Sequence, residues 1–173
     1  MSMERVLRMG TGEVLTILRS GADTGGSAFG FEAVLPPGLS GPPPHRHRVE
    51  TETFSVLEGV LRVRVGDRVR VLEAGESVTV PPGAVHAFSN PSDRPARIRT
   101  VETPAGPLED QFRALAAAGR IPPLRRLARI NVEHDLSFSV HGIPDRIQRP
   151  LWRALAILAP ADRPPQGMIG RTG

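Results

Sequence analysis

The fold of this 173-residue chain is decided by two stretches, which read GLSGPPPHRHRVETETFSVLEG at residues 38–59 and GESVTVPPGAVHAFSN at residues 75–90. In the first stretch, His45 and His47 are two residues apart, so on an extended backbone both imidazoles project to one face. Glu52 follows at an odd spacing, so a turn or bulge must reset the face before it. Glu52 then opens a strand on the same side as the two histidines.

Short apolar runs separated by turn residues surround these stretches. Glycine and proline, with 18 residues each, supply most of the breaks. We predict strands at Val14–Arg19, Ala28–Leu35, Thr53–Glu58, Val60–Val65, Val69–Glu73, Ser77–Val80, Val85–Ser89 and Ala96–Glu102. Many short strands at close spacing favour an all-β sandwich or barrel.

The sequence around residue 66 predicts the register of one hairpin. Val63 and Val65 alternate with arginines, and so do Val69 and Val71. We expect all four valines to share the buried face, because the arginines then point to solvent. This register needs an odd number of loop residues, which gives a three-residue loop at 66–68.

The C-terminal third of the chain has helical rather than alternating spacing. Helices are predicted around Leu108–Ala116 and Leu124–Ala128. A third helix opens at Pro150 and runs to Leu158, since proline suits a first helical turn. This third helix is apolar on most sides, so we expect it to be buried against the barrel or against a second subunit.

The chain is therefore predicted to have two parts. A barrel occupies residues 1–104, and a helical C-terminal extension occupies residues 105–173. The edge strands of a small barrel and the apolar third helix both favour self-association, so we expect a homodimer.

Missing residue types exclude several kinds of site. The chain has no cysteine, tyrosine or lysine, which excludes disulfides, thiolate nucleophiles, phenolic acids and Schiff bases. The basic residues are arginines interspersed with acids and the net charge is only +4, so we expect no nucleic-acid partner. No apolar run is long enough to span a bilayer and the N-terminus has no secretion-like segment, so we expect no membrane partner and a cytoplasmic protein.

Three imidazoles and one carboxylate are the candidate metal ligands. If His45, His47, Glu52 and His86 converge inside a barrel, they form a site for a divalent transition metal. An ion with about five or six ligands then keeps open positions for a substrate or for oxygen. Glu50, two residues before Glu52, is a rival ligand.

The spacing of these residues resembles the two sequence motifs of the cupin superfamily. The first motif is His-x-His, then Glu, then Gly, and is matched by His45, His47, Glu52 and Gly59. The second motif is matched at every position, by Gly75, Pro81, Gly83, His86 and Asn90. One departure is the leading glycine, since six residues separate Gly38 from His45 where the family pattern has one fewer. The resemblance covers roughly residues 28–102.

The resemblance implies a small conical β-barrel of the cupin type, a double-stranded β-helix or jelly roll, followed by the helical tail. It implies that His45, His47, Glu52 and His86 bind one divalent transition metal per chain, from among Fe, Mn, Ni, Cu and Zn. It also implies a small-molecule ligand in the barrel. The motif spacing favours Glu52 over Glu50, so we expect Glu50 to be an exposed loop charge.

Other polar residues are interpreted as structural. His134 is flanked by acids, and we expect a surface histidine rather than a second metal site. His141 lies in the same tail. Glu32 and Arg99, on barrel strands, either line the barrel mouth or point outward.

Three classes of function remain open. Single-barrel cupins with this ligand set resemble the quercetinase-like dioxygenases, whose ligand glutamate also removes a proton from a small oxygen-rich aromatic or enediol substrate. In this chain the catalytic role falls on Glu52. The second class is a Lewis-acid isomerase or cyclase of a small carbonyl compound, and the third is a non-enzymatic module that binds a small molecule or a metal.

Overall fold

A computed structural model describes residues 5–134 and 139–159 of the chain. In chain order the strands are β1 (Val6–Arg8), β2 (Val14–Arg19), β3 (Phe29–Leu35), β4 (His45–Arg46), β5 (Thr51–Glu58), β6 (Val60–Val65), β7 (Arg68–Glu73), β8 (Ser77–Val80), β9 (His86–Ser89), β10 (Ala96–Thr103) and β11 (Ser139–Val140). The helices are α1 (Leu108–Ala117), α2 (Leu124–Glu133) and α3 (Asp145–Ile157). A six-stranded sheet has the order β1-β2-β3-β10-β5-β8, and a five-stranded sheet has the order β11-β4-β9-β6-β7.

Side chains from the inner faces of both sheets form one apolar core. Strand β10 shows the alternation that builds it, because Ala96 and Ile98 are buried while Arg99 is exposed. Phe54 of the first sheet and Leu61 of the second are 1% and 0% exposed. The strands pair antiparallel throughout the described residues. The predicted all-β jelly roll with a helical C-terminal part is confirmed.

The predicted strands are all present, and their ends differ from the prediction by at most two residues. The sequence does not predict β1, β4 and β11. These strands contain only two or three residues each, which is too few to show an alternating pattern.

The hairpin between β6 and β7 corrects the prediction for this segment. Val65 pairs with Arg68 across a two-residue loop, in which Gly66 has a φ of 58°. Short hairpin loops with positive φ match the twist of the flanking strands. Val69 and Val71 consequently lie on the outer face, 57% and 52% exposed. The expected three-residue loop is wrong, and the one-residue difference reverses the face of these valines.

Helix α1 packs directly against the first sheet. The Phe112 ring lies edge-on to Phe31, with centroids 5.2 Å apart. At the start of the same helix, a carboxylate oxygen of Glu109 accepts a hydrogen bond from the Gly21 backbone at 2.9 Å. An aromatic contact and a hydrogen bond therefore both attach α1 to the barrel.

Helix α3 corrects the predicted start of the third helix. It begins at Asp145, not at Pro150, which lies inside the helix. One of its two buried side chains is polar, because Gln148 is 2% exposed and donates to the Ile143 carbonyl oxygen at 2.8 Å. Leu151 and Leu158 are 50% and 63% exposed, so the barrel does not bury the apolar face of α3.

No helix among the described residues is both long and apolar enough to cross a membrane.

Candidate metal centre

The two histidine stretches meet through strand pairing and a loop contact. His45 of β4 is the direct antiparallel partner of His86 of β9, and the two ring centroids are 4.3 Å apart. The Gly83 backbone N–H, in the turn before β9, donates to the His47 carbonyl oxygen at 2.8 Å. This bond places the His47 ring 5.1 Å from His45 and 5.3 Å from His86.

Backbone carbonyl groups orient two of the three imidazoles. The Nδ1 atom of His45 lies 3.0 Å from the Pro43 carbonyl oxygen, and Nδ1 of His86 lies 3.1 Å from that of Ala84. Because a carbonyl oxygen only accepts, each Nδ1 carries the proton in the neutral ring. A neutral ring protonated at Nδ1 carries its lone pair on Nε2, which is the usual arrangement of metal-binding histidines.

Glu52 extends toward the same group from β5. Its Oε2 atom lies 3.0 Å from Nε2 of His86 and 3.7 Å from Nε2 of His47. Both Glu52 Oε2 and His86 Nε2 are buried and have no hydrogen-bond partner. The structure thus brings together the four side chains singled out from the sequence, each at most 6% exposed.

The electrostatics favour neutral rings. Burial, with the neighbouring His86 and His47, lowers the pKa of His45 to about 3. Burial also lowers the pKa of His47, although the Glu52 carboxylate opposes this change. Lone pairs on neutral rings are available near neutral pH without the loss of a proton. Three imidazoles and one carboxylate form a donor set that suits a divalent transition metal.

Asn90, the last residue of the second motif, supports the site from a distance. Its side chain is 1% exposed, and its Nδ2 donates to the carbonyl oxygens of Arg94 at 2.7 Å and Pro36 at 3.0 Å. Asn90 thereby ties the loop after β9 to the end of β3. This contact fixes the loop and places no polar atom among the histidines.

Glu50 contradicts the sequence expectation. It is 6% exposed and is not a surface loop charge. Its carboxylate lies with His47 and Glu102 in a second group, whose ligand atoms are all within 4.8 Å of one another. Burial, reinforced by Glu50 and Glu52, raises the pKa of Glu102 to about 8.

Sequence reasoning missed Glu102, although a signal for it exists. Glu102 occupies an inward position of β10, two residues after Thr100, and it pairs directly with Glu52 of β5. Side chains alternate between the inner and outer faces along β10. Extending this alternation to Glu102 places its carboxyl group inside the barrel. A charged residue on an otherwise apolar inner face is the feature to look for.

The remaining candidates lie outside the site. His134 ends α2, and His141 is exposed, with its backbone N–H donating to the Pro44 carbonyl oxygen at 2.7 Å. Neither belongs to a group of three metal-ligating side chains among the described residues. Glu32 accepts from Arg99 at 2.7 Å on the outer face, so this pair points outward and does not line the barrel.

Comparison with known proteins supports the fold and the motifs described above. Residues 31–102 match the family model described as Cupin domain. An oxidoreductase named OpS7 from Beauveria bassiana (strain ARSEF 2860) is 43% identical over 49 residues, which are 28% of this chain and 16% of that protein. The chain therefore matches only a small part of this curated relative.

Two solved structures have a similar fold. An RmlC-like cupin from Shewanella frigidimarina NCIMB 400 is 24% identical, with a TM-score of 0.50, over 58% of this chain and 83% of that one. A predicted oxalate decarboxylase from Thermotoga maritima is 19% identical, with a TM-score of 0.53, over 60% of this chain and 98% of that one. These likenesses concern the fold alone. With two cupin motifs and a matching family model, residues 31–102 of this chain form a cupin domain.

Proposed function

We propose that this protein is a metal-dependent dioxygenase that acts on a small oxygen-rich aromatic or enediol substrate. In this proposal His45, His47, Glu52 and His86 hold one divalent transition metal. The observation that carries the metal site is the contact between His86 Nε2 and Glu52 Oε2, which lie 3.0 Å apart, buried and without hydrogen-bond partners.

The His86 ring cannot satisfy its surroundings as a neutral imidazole. It faces two acceptors, the Ala84 carbonyl oxygen on Nδ1 and the Glu52 carboxylate on Nε2, but a neutral ring has only one N–H. A cation between Nε2 and Oε2 removes the repulsion between two lone pairs. A divalent metal also uses the neutral rings of His45 and His47, so the donor set fits it.

The apolar wall beside the centre limits access of water. The Phe54 ring lies 6.3 Å from the His86 ring and 5.4 Å from Phe88, centroid to centroid. When bound, a redox-capable metal supplies Lewis acidity and a place where an anionic substrate and O₂ meet. Glu52 is the group placed to accept the proton that such a substrate loses on binding.

Two further facts support this proposal. The chain has no tyrosine, cysteine or lysine, which leaves few general acids or nucleophiles for chemistry without a metal and so favours metal-dependent chemistry. The relative OpS7, which is 43% identical over 49 residues, is named an oxidoreductase.

The proposal is tested by oxygen consumption. Metal-reconstituted wild-type protein should consume O₂ with one or more members of a panel of enediols and ortho-dihydroxy aromatic compounds. His86→Ala should abolish this uptake, while His141→Ala, which changes an exposed histidine, should not. Turnover of a panel compound under strict anaerobiosis would contradict a dioxygenase and support an isomerase or cyclase. Absence of any turnover would contradict it in favour of a binding module.

A further inference from the structure

A second group of metal-ligating side chains adjoins the histidine centre. His47, Glu50 and Glu102 are 6%, 6% and 1% exposed, and their ligand atoms are all within 4.8 Å of one another. The group differs in chemistry from the first, because it offers one imidazole and two carboxylates. It shares His47 with the first group, so the two groups are contiguous.

The backbone is built closely around these carboxylates. A Cβ atom at Gly106 would lie 2.5 Å from Oε1 of Glu50, so a larger residue there would displace that side chain. The Gly106 N–H donates to Oε2 of Glu102 at 3.2 Å. The Val49 N–H donates to Oε2 of Glu50, also at 3.2 Å. The segment between β10 and α1 thus holds both carboxylates in place.

The backbone supplies one donor to each carboxyl group, and the arginine ion pairs of the barrel wall lie elsewhere. Arg97 and Arg99 pair with Glu32 and Glu58 on the outer face. Burial of two adjacent ionised carboxylates is costly unless a metal ion or a shared proton lies between them. A positive charge at this position would offset that cost.

Two unpartnered polar atoms accompany this group, one beside His47 and one two residues before Glu102 on β10. Oε2 of Glu52, which is 5% exposed as a residue, has no hydrogen-bond partner and lies 3.7 Å from Nε2 of His47. Thr100 is 0% exposed, and its Oγ1 also lacks a partner. Thr100 shares the inner face of β10 with Glu102. Buried oxygen atoms without partners usually mark a bound ligand or ion.

We propose that His47, Glu50 and Glu102 form a second cation position, selective for a hard divalent ion such as Mn²⁺. Carboxylate oxygens favour such ions, whereas the three-histidine group favours softer transition metals. Because His47 belongs to both groups, binding at either position weakens binding at the other. This proposal is independent of the dioxygenase reaction.

The test is Mn²⁺ binding to chelator-treated protein, followed by the electron paramagnetic resonance signal of free Mn²⁺. The variant His45→Ala/His86→Ala removes the first group and keeps the second, and should bind one Mn²⁺ per chain. Adding Glu50→Gln and Glu102→Gln to it should weaken Mn²⁺ binding by at least about tenfold. In the control, Glu73→Gln and Glu76→Gln, which change two exposed carboxylates, are added to the same histidine variant. Mn²⁺ binding should then stay unchanged.

A second comparison keeps the test valid if the histidine variant does not fold. In the chain with all histidines intact, Glu50→Gln/Glu102→Gln should bind less Mn²⁺ at saturation while its Zn²⁺ content stays at one per chain. The proposal is overturned if Mn²⁺ binding is the same with and without these two carboxylates. In that case a proton shared by Glu50 and Glu102, and not a metal ion, compensates their charge.

Discussion

The inside of the barrel and the outer face of α3 depart in opposite ways from ordinary burial. Inside the barrel, the polar residues His86 and Glu102 are each 1% exposed within an apolar core. In α3 the polar Gln148 is buried together with Ala156, while the apolar Ile147 and Leu151 are 53% and 50% exposed. Polar groups inside a core need a ligand or partner, whereas apolar groups on a surface need another surface. The comparison therefore predicts a ligand site in the barrel and an interface on the extension.

The largest expected effect concerns Glu52. Glu52→Gln keeps an oxygen that can touch a metal but cannot usefully accept a proton. Turnover should therefore fall by roughly 10² to 10⁴, the usual scale for loss of a positioned base, while metal content falls only modestly. Steady-state kinetics on metal-loaded protein provide the measurement. If the fully loaded variant turned over at the wild-type rate, Glu52 would be a ligand without a base role.

The packing comparison predicts unequal costs for two leucine truncations. Leu61 of the barrel is 0% exposed, so Leu61→Ala should lower the free energy of unfolding by about 2–5 kcal/mol. Leu151 of α3 is 50% exposed, so Leu151→Ala should change the stability of the isolated chain by less than about 0.5 kcal/mol. Urea denaturation at low protein concentration measures both. Equal costs would mean that α3 is as tightly packed as the barrel.

The sequence predicts some features of the barrel and not others. The barrel strands were predictable because alternation and turn residues are local signals. So was the convergence of the four candidate metal ligands, because their spacing is that of a family motif. The β6–β7 register was not, because the two-residue turn at Gly66 prevailed over the burial pattern of an edge strand.

Long-range contacts explain the remaining misses. The burial of Glu50 depends on Gly106, which lies 56 positions further along the chain and comes close to it only after folding. The start of α3 depends on contacts of Asp145, which pairs with Arg46 at 2.8 Å. Neither contact leaves a periodic pattern in the sequence. Such tertiary contacts override local propensity.

The exposed face of α3 predicts self-association. Ile147, Leu151 and Leu158 lie on one helix face and are 53%, 50% and 63% exposed. We expect a homodimer through this face, measured by light scattering at micromolar concentration. Ile147→Glu/Leu151→Glu should shift the protein to monomer. Val71→Glu, a matched change on the outer face of β7, should leave the dimer intact, and a monomeric wild type would contradict the prediction.

The smallest effect is expected on the outer face of the barrel. Hydrogen bonding and charge from Arg99, with Arg97 beyond it, hold the pKa of Glu32 below its usual value of 4.5. A lowered pKa in the folded state stabilises the fold above pH 4.5, and this gain is lost as the pH falls through the folded-state pKa. Glu32→Gln should cost at most about 1 kcal/mol at neutral pH and nothing in strong acid. Urea midpoints at both pH values test this, and a cost independent of pH would refute it.

The central claim is that the histidine centre binds a metal, and elemental analysis of the purified protein tests it most directly. Wild-type protein, reconstituted with a divalent transition metal at one equivalent and desalted, should retain about one ion per chain. His86→Ala should retain almost none while its circular dichroism stays that of the folded barrel, and His141→Ala should match wild type. A wild-type protein that retains no metal, or a His86→Ala variant with full occupancy, would contradict the account.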